Sequence, residues 1–374
     1  MTDHLPLRAR RRPEPAAPMR PAAFVFLLAS ACLAATGAAE PGVIRIGAVD
    51  YVSVDDGADR LGLRVVPLVA QSAMILKDGP RPVARLADHS REIDLKGLRV
   101  FLGDPVIARG GTFYVSRIDY QSHLVPRLRP VLCGPPPRQP RVIAIDPGHG
   151  GTDHGAENRA LGTMEKTCTL DVSLRLKRLL EGAGYAVVLT RDSDFDLPKA
   201  VRSEIANRAN ADLFVSVHFN SLYPNTKTTG AEVLSFPARS QRSADSWSPG
   251  GNDNAETKDA PVNAFDAWNT VLAGALHRRI LDALHDGDRG EKLEHLGVLR
   301  GLKCPGVLVE PAFISSDAEG AKLGTPEFRN AIAAAVFAGI QDYAEVIKAL
   351  HPAPVPAPDA ATAPRSQPSR PAVP

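Results

Sequence analysis

The chain has 374 residues, 44% of them hydrophobic, enough for two domains with buried cores plus tails. A formal charge of +2 and an aromatic share of 5% provide neither a long cationic face nor many platforms for stacking bases. Nucleic acid is therefore excluded as a partner.

Residues 1–39 have the form of an export signal. Arg8 to Arg12 and Arg20 are basic, Ala22 to Ala35 is apolar, and Thr36 to Ala39 offers small residues for cleavage. Met19 is an alternative start, because a compact signal follows it. The apolar run is too short and too Ala-rich for a stable membrane span, so the mature protein is expected in the periplasm or secreted. Lipidation at Cys32 is the alternative to simple secretion. Cys133, Cys168 and Cys304 then remain, an odd number without a C-x-x-C pair, and each reads as a small buried apolar residue.

Residues 42–130 carry short alternating runs, at Val43 to Ile46, Ala84 to Leu86, Arg99 to Leu102 and Phe113 to Val115, separated by Gly and Asp turns. They predict several short strands with one helix near Val54 to Gly62, a small α+β domain without a cluster of ligands. Residues 131–140 include Gly134-Pro135-Pro136-Pro137, which continues neither a helix nor an inner strand and reads as a linker.

From 141 to 350 strand-like and helix-like segments alternate. Strands are expected at Val142 to Ile145, Ala186 to Thr190, Leu213 to Val217, Ala231 to Phe236 and Gly306 to Val309. Helices are expected at Glu165 to Ala183, Lys199 to Asn210 with Val201, Ile205 and Ala209 on one face, Asp266 to Leu284 and Phe328 to Leu350. This order argues for an α/β fold, taken as a mostly parallel mixed sheet with helices on both faces. The polar run from Pro237 to Val262 is a lid or an insertion. Residues 351–374 form a Pro/Ala-rich tail with nothing to bury.

Three side chains suited to zinc sit at the ends of predicted elements. His149 follows the first strand inside Gly148-His149-Gly150-Gly151, Glu165 opens the first helix, and His218 closes the Leu213 to Val217 strand. Two imidazoles and one carboxylate with an open fourth position suit a zinc hydrolase, and strand-helix alternation gathers strand ends at one edge. Each has a plainer reading: an anion cradle at His149, a helix-start acid at Glu165, a hydrogen-bonded core imidazole at His218. There is no H-E-x-x-H and no Glu three residues after His149, which sets aside two other zinc patterns. Glu310 ends the apolar run Gly306 to Val309, where desolvation raises a carboxyl's pKa and suits it to general base work.

The stretch from Arg141 to about Tyr343 resembles the zinc-dependent N-acetylmuramoyl-L-alanine amidases of the bacterial envelope. The resemblance is carried in order by Ile145-Asp-Pro-Gly-His-Gly-Gly, Gly155-Ala156, Glu165-Lys166, Leu189-Thr-Arg-Asp with Asp194, and Arg202 with Ala206-Asn207. It continues through Ala211-Asp-Leu-Phe-Val-Ser-Val-His-Phe-Asn220 and Val309-Glu-Pro-Ala-Phe-Ile-Ser315. It implies His149, Glu165 and His218 as Zn2+ ligands, Glu310 as catalytic acid/base, and Asn220 and Arg191 as support or substrate contacts. It also implies peptidoglycan as substrate, with an envelope activator protein as a candidate partner. His154, Pro311 and Ser316 depart from the family pattern; His154 reads as a surface-loop histidine, with a spare ligand as the alternative. The Pro237 to Val262 segment falls where some members carry a covering regulatory segment. Residues 42–130 resemble the small N-terminal domain of some copper amine oxidases, through Tyr51-Val52-Ser53 and Tyr114-Val115-Ser116, which implies an accessory module. An inactive wall-binding or regulatory protein and an amino-sugar deacetylase remain the alternative functions.

Overall fold

The computed structural model describes residues 42–69, 72–243 and 264–351. The expectations for residues 1–39, for the tail beyond His351 and for most of the Pro237 to Val262 segment lie outside the described residues. Among the described residues no helix is long and apolar enough to cross a membrane.

The β-branched run of strand Val142–Pro147 forms the centre of the part that carries the ligand candidates. It pairs in parallel with Ala186–Leu189 on one side and Leu213–Val217 on the other, and the latter pairs in parallel with Gly306–Glu310. Strand Ala231–Ser235 then runs antiparallel to Gly306–Glu310, and Asp288–Leu293 lies parallel beyond it. Parallel strands covered on both faces read as continuous apolar runs, and these do.

Alternate side chains serve opposite layers. Ile143, Ile145, Val215, Val307 and Val309 join one core with Val172, Leu176 and Leu180 of helix Glu165–Gly182, Leu276 and Ile280 of helix Asp266–Leu284, and Val336 and Ile340 of helix Pro326–Leu350. Ala144, Phe214, Leu234 and Leu308 face a second core with Ala206 of helix Lys199–Arg208 and with Leu299 and Leu302. Helices thus flank a mixed sheet on both faces, as the alternation of elements predicts.

Helix Lys199–Arg208 differs in register from its expected face. The buried side chains are Arg202, Ser203 and Ala206, while Val201, Ile205 and Ala209 are only half-buried. An arginine turns inward here because a buried aspartate receives it, and a count of apolar residues does not register that. Strand Asp288–Leu293, with sequence DRGEKL, also has no apolar run to reveal it. Its inward Glu291 is matched by a buried ion pair with Arg127.

That strand continues the sheet into the N-terminal region. Glu291 registers with Val100 of strand Leu98–Phe101, which leads through Glu92–Leu95, Arg81–Ala87 and Ala73–Asp78 to Arg64–Leu68, all antiparallel. The result is one eleven-stranded sheet. Arg99 N donates to Asp288 Oδ2 at 2.9 Å across the same join. A separate four-stranded sheet of Val43–Ile46, Val49–Ser53, Thr112–Ser116 and Ile107–Arg109 packs with helix Val54–Arg60. A further helical run, Arg117–Asp119, Tyr120–Leu124 and Val125–Leu128, lies where no helix is expected. Between 131 and 140, Arg138 pairs with Asp212 at 2.9 Å and Gln139 donates to Ala344 O at 3.1 Å. All three cysteines in the described residues are free; Cys168 and Cys304 are buried and Cys133 is half-buried.

Candidate functional site

Four parallel strands end on the same edge, and the segments leaving two of them carry the candidate ligands: His149 and Glu165 follow Val142–Pro147, and His218 follows Leu213–Val217. His149 leaves Val142–Pro147 with φ 61°, a left-handed backbone that ordinary residues seldom adopt. Such a conformation persists only where its surroundings fix it. Here Arg202 donates through Nη2 to His149 O at 2.8 Å and through Nη1 to Pro147 O at 2.7 Å and Asp146 Oδ1 at 2.8 Å. Asp146, fully buried, also accepts from Thr190 Oγ1 at 2.5 Å and Ser216 Oγ at 2.7 Å. The strap beneath His149 is thus a buried ion pair with its remaining lone pairs satisfied.

Arg191 is a second brace. It is 1% exposed and donates to Pro147 O, Gly148 O and Lys166 O at 3.0, 2.8 and 2.8 Å. Its burial and these bonds accord with the support role expected for it. Lys166 Nζ donates to Gly151 O and pairs with Asp194 Oδ2, both at 2.8 Å, so the helix that starts at Glu165 is bound to the same glycine loop.

The three predicted ligands come together. Glu165 Oε1 lies 3.1 Å from His149 Nε2 and 2.9 Å from His218 Nδ1, and one ligand atom from each residue falls within 4.8 Å of the others. The two rings meet edge to face, with centroids 4.7 Å apart. Phe219 N donates to Glu165 Oε1 at 3.0 Å and Ala156 N to Oε2 at 2.8 Å, which fixes the carboxylate plane. Asp153 Oδ1 stands 2.9 Å from His149 Nδ1, at ion-pair distance but without hydrogen-bond geometry. Burial favours a neutral Glu165, but its hydrogen bonds and attraction to His149 and His218 outweigh this and hold it well below the ordinary carboxylate range. Burial likewise lowers His149, and Glu165 and Asp153 together reverse the sign and raise it.

Small residues make room for this packing. A Cβ on Gly148 would stand 2.4 Å from the His218 ring, and one on Gly155, whose φ is +67°, would stand 2.6 Å from His149 and 2.7 Å from Glu165 Oε2. Gly148 and Gly155 are therefore steric requirements of the cluster.

Glu310 closes its strand at the wall of the same cleft, about 300 Å³ in volume, which His149, Glu165, His218 and Asn220 also line. Its Oε2 is buried without a hydrogen-bond partner. Burial, then the negative charges of Glu165, Glu232 and Glu294, push its carboxyl well above the ordinary range. His154 is exposed and bonds Glu157 at 2.9 Å, apart from the three-ligand group. Ser316 caps helix Asp317–Leu323 by accepting from Glu319 N at 3.4 Å, which explains a small hydroxyl there. The structure offers no account of why Pro311 follows Glu310.

Residues 143–342 match the family model described as N-acetylmuramoyl-L-alanine amidase. Among curated relatives, N-acetylmuramoyl-L-alanine amidase AmiC of Neisseria meningitidis is 33% identical over 222 residues, covering 54% of this chain and 52% of that protein. AmiA of Escherichia coli K12 is 31% identical over 221 residues, covering 54% and 76%. The amidase AmiC2 of Nostoc punctiforme, a solved structure, is 31% identical over 55% of this chain and 97% of that one, with a TM-score of 0.45. The chain spans about half the length of several curated relatives it matches, from 36% to 59%. The matched span holds the glycine loop, the three converging candidate ligands and Glu310, and the chain belongs to the N-acetylmuramoyl-L-alanine amidase family.

Proposed function

We propose that this protein is a zinc-dependent hydrolase of the bacterial envelope that cleaves the amide between N-acetylmuramic acid and L-alanine in peptidoglycan. The observation that carries this reading is the convergence of His149, Glu165 and His218 beside Glu310, whose buried Oε2 has no hydrogen-bond partner. Two nitrogen donors and one oxygen donor within 4.8 Å of one another fit zinc. Bound there, zinc would supply Lewis acidity toward water and the scissile carbonyl.

The chain's own residues do the rest. Glu310 takes a proton from the attacking water as the oxygen–carbon bond forms. It delivers that proton to the leaving nitrogen as the carbon–nitrogen bond breaks, releasing the L-alanine amine and the muramic carboxylate. A carboxyl raised by burial is suited to both halves of this transfer, because it holds a proton more readily than an exposed one and still gives it up. The backbone N–H groups of Ala156 and Phe219 keep the Glu165 carboxylate in place, and the Asp153 carboxylate stands beside His149 at ion-pair distance.

In this reading residues 1–39 direct export, 141–350 carry the chemistry and 42–130 are an accessory region. The test is digestion of purified sacculi with the zinc-loaded protein, followed by end-group analysis. Stem peptides bearing a free L-alanine amino terminus are expected. Release of acetate without stem peptides would point instead to deacetylation of amino sugars, and release of neither would sink hydrolysis.

A further inference from the structure

Asn220, two residues past His218, lines the cleft, and its backbone is fixed on both sides: its N–H donates to Ala312 O at 3.0 Å and its carbonyl accepts from Ile314 N at 2.8 Å. Its side chain is fixed as well. Oδ1 accepts from Ser221 N at 2.8 Å, which settles which end of the amide is oxygen, and Nδ2 donates to Glu232 Oε1 at 2.5 Å. Glu232 is 5% exposed and lies in register with Glu310 on the adjoining antiparallel strand. Its other oxygen takes the ammonium of Lys292 at 2.6 Å. An acid within the buried strand Ala231–Ser235 is costly unless it is paired, and this one is paired on both oxygens.

The row continues outward. The Lys292 ammonium stands 5.9 Å from the Phe101 ring centroid, and Phe101 presses so close to Gly290, whose φ is +95°, that a Cβ there would be 2.7 Å away. Phe101 belongs to the N-terminal region, so that region supports the row at its far end.

We propose that Lys292 and Glu232 are positioning residues: they lock the Asn220 side-chain amide so that the second hydrogen on Nδ2 donates to the carbonyl oxygen of the bound amide substrate. This rests on the amidase reading for its substrate, but the geometry itself can be tested apart from catalysis. A donor held in place before reaction stabilises charge developing on that oxygen without reorganising, and a loosened donor loses this advantage.

The experiment uses the full chain and two measurements. In amide NMR, with the Asn220 side-chain pair assigned by its disappearance in Asn220→Asp, one proton of the pair should be downfield and slow to exchange in the wild type. It should move to free-amide values in Glu232→Ala. A free-amide pair in the wild type, or an unchanged pair in the variant, overturns the proposal whether or not the protein is active. In sacculus digestion, Lys292→Met should lower kcat about tenfold with KM changed by less than about twofold, the pattern of a misplaced group. Adding Glu232→Gln should restore part of that loss, since a neutral side chain still accepts from Asn220 and no longer needs the ammonium. Equal kcat in wild type and Lys292→Met, a loss confined to KM, or no recovery in the double variant overturns it. Should Glu232→Ala fail to fold, Glu232→Gln replaces it in NMR, where a weakened but still bonded amide proton is expected and an unaltered one contradicts the proposal. A wild type inactive on sacculi sinks the amidase reading and leaves the NMR result to decide this one.

Discussion

Glu310→Gln is expected to bind zinc as the wild type does and to release stem peptide at least about two orders of magnitude more slowly, the usual cost of a lost general acid/base. The amide matches the carboxyl in size, so the cleft keeps its shape. It cannot accept a proton from water and hand it on. Glu310 is outside the group of three ligand side chains, so metal content should stay at wild-type level. The substitution also removes a carboxyl whose ionisation burial and the charges of Glu165 and Glu232 oppose. Thermal stability should therefore hold or rise slightly. Metal analysis beside the rate of peptide release reads both effects, and near-wild-type activity would remove Glu310 from the proton transfer.

Arg202→Met is expected to cost stability on the scale of about 3–5 kcal/mol, the penalty for leaving one member of a buried ion pair without its partner. Asp146 is 0% exposed and would keep only two hydroxyl donors, from Thr190 and Ser216. The same change frees His149 O and Pro147 O, so the left-handed turn at His149 loses its tether. Urea unfolding should show the loss, and zinc affinity measured on the folded fraction should fall with it. A variant as stable as the wild type would mean that the strap under the glycine loop contributes little.

The convergence of His149, Glu165 and His218 near Glu310 was legible because each sits beside a strand or helix end that the apolar pattern marks. Strand ends in a mostly parallel sheet share one edge, so reading the elements also places the residues. Arg202 was harder to place, because amphipathic counting assigns arginine to solvent and cannot know that Asp146 awaits it inside. Glu232 carried the same signal that singled out Glu310, an acid within a buried strand, but it lies near the start of its strand and one of its partners, Lys292, comes from a distant segment. Asp153 gave no signal at all: a loop aspartate four residues after a histidine is common, and only the turn of the glycine loop brings it to Nδ1. Strand Asp288–Leu293 and the join to Leu98–Phe101 escaped for a related reason. Charged side chains that find partners across the sheet do not alternate with apolar ones, so neither the strand nor the continuity of the sheet into the N-terminal region leaves a pattern along the chain.

The most direct measurement is X-ray diffraction from crystals of the zinc-loaded protein at energies just above and below the zinc absorption edge. One anomalous peak per chain, bonded to His149, Glu165 and His218 at the 2.0–2.2 Å typical of zinc with nitrogen and oxygen donors, with Glu310 facing the open side, is the predicted result. A peak held by other side chains, or none at these three in protein that contains stoichiometric zinc, would contradict it.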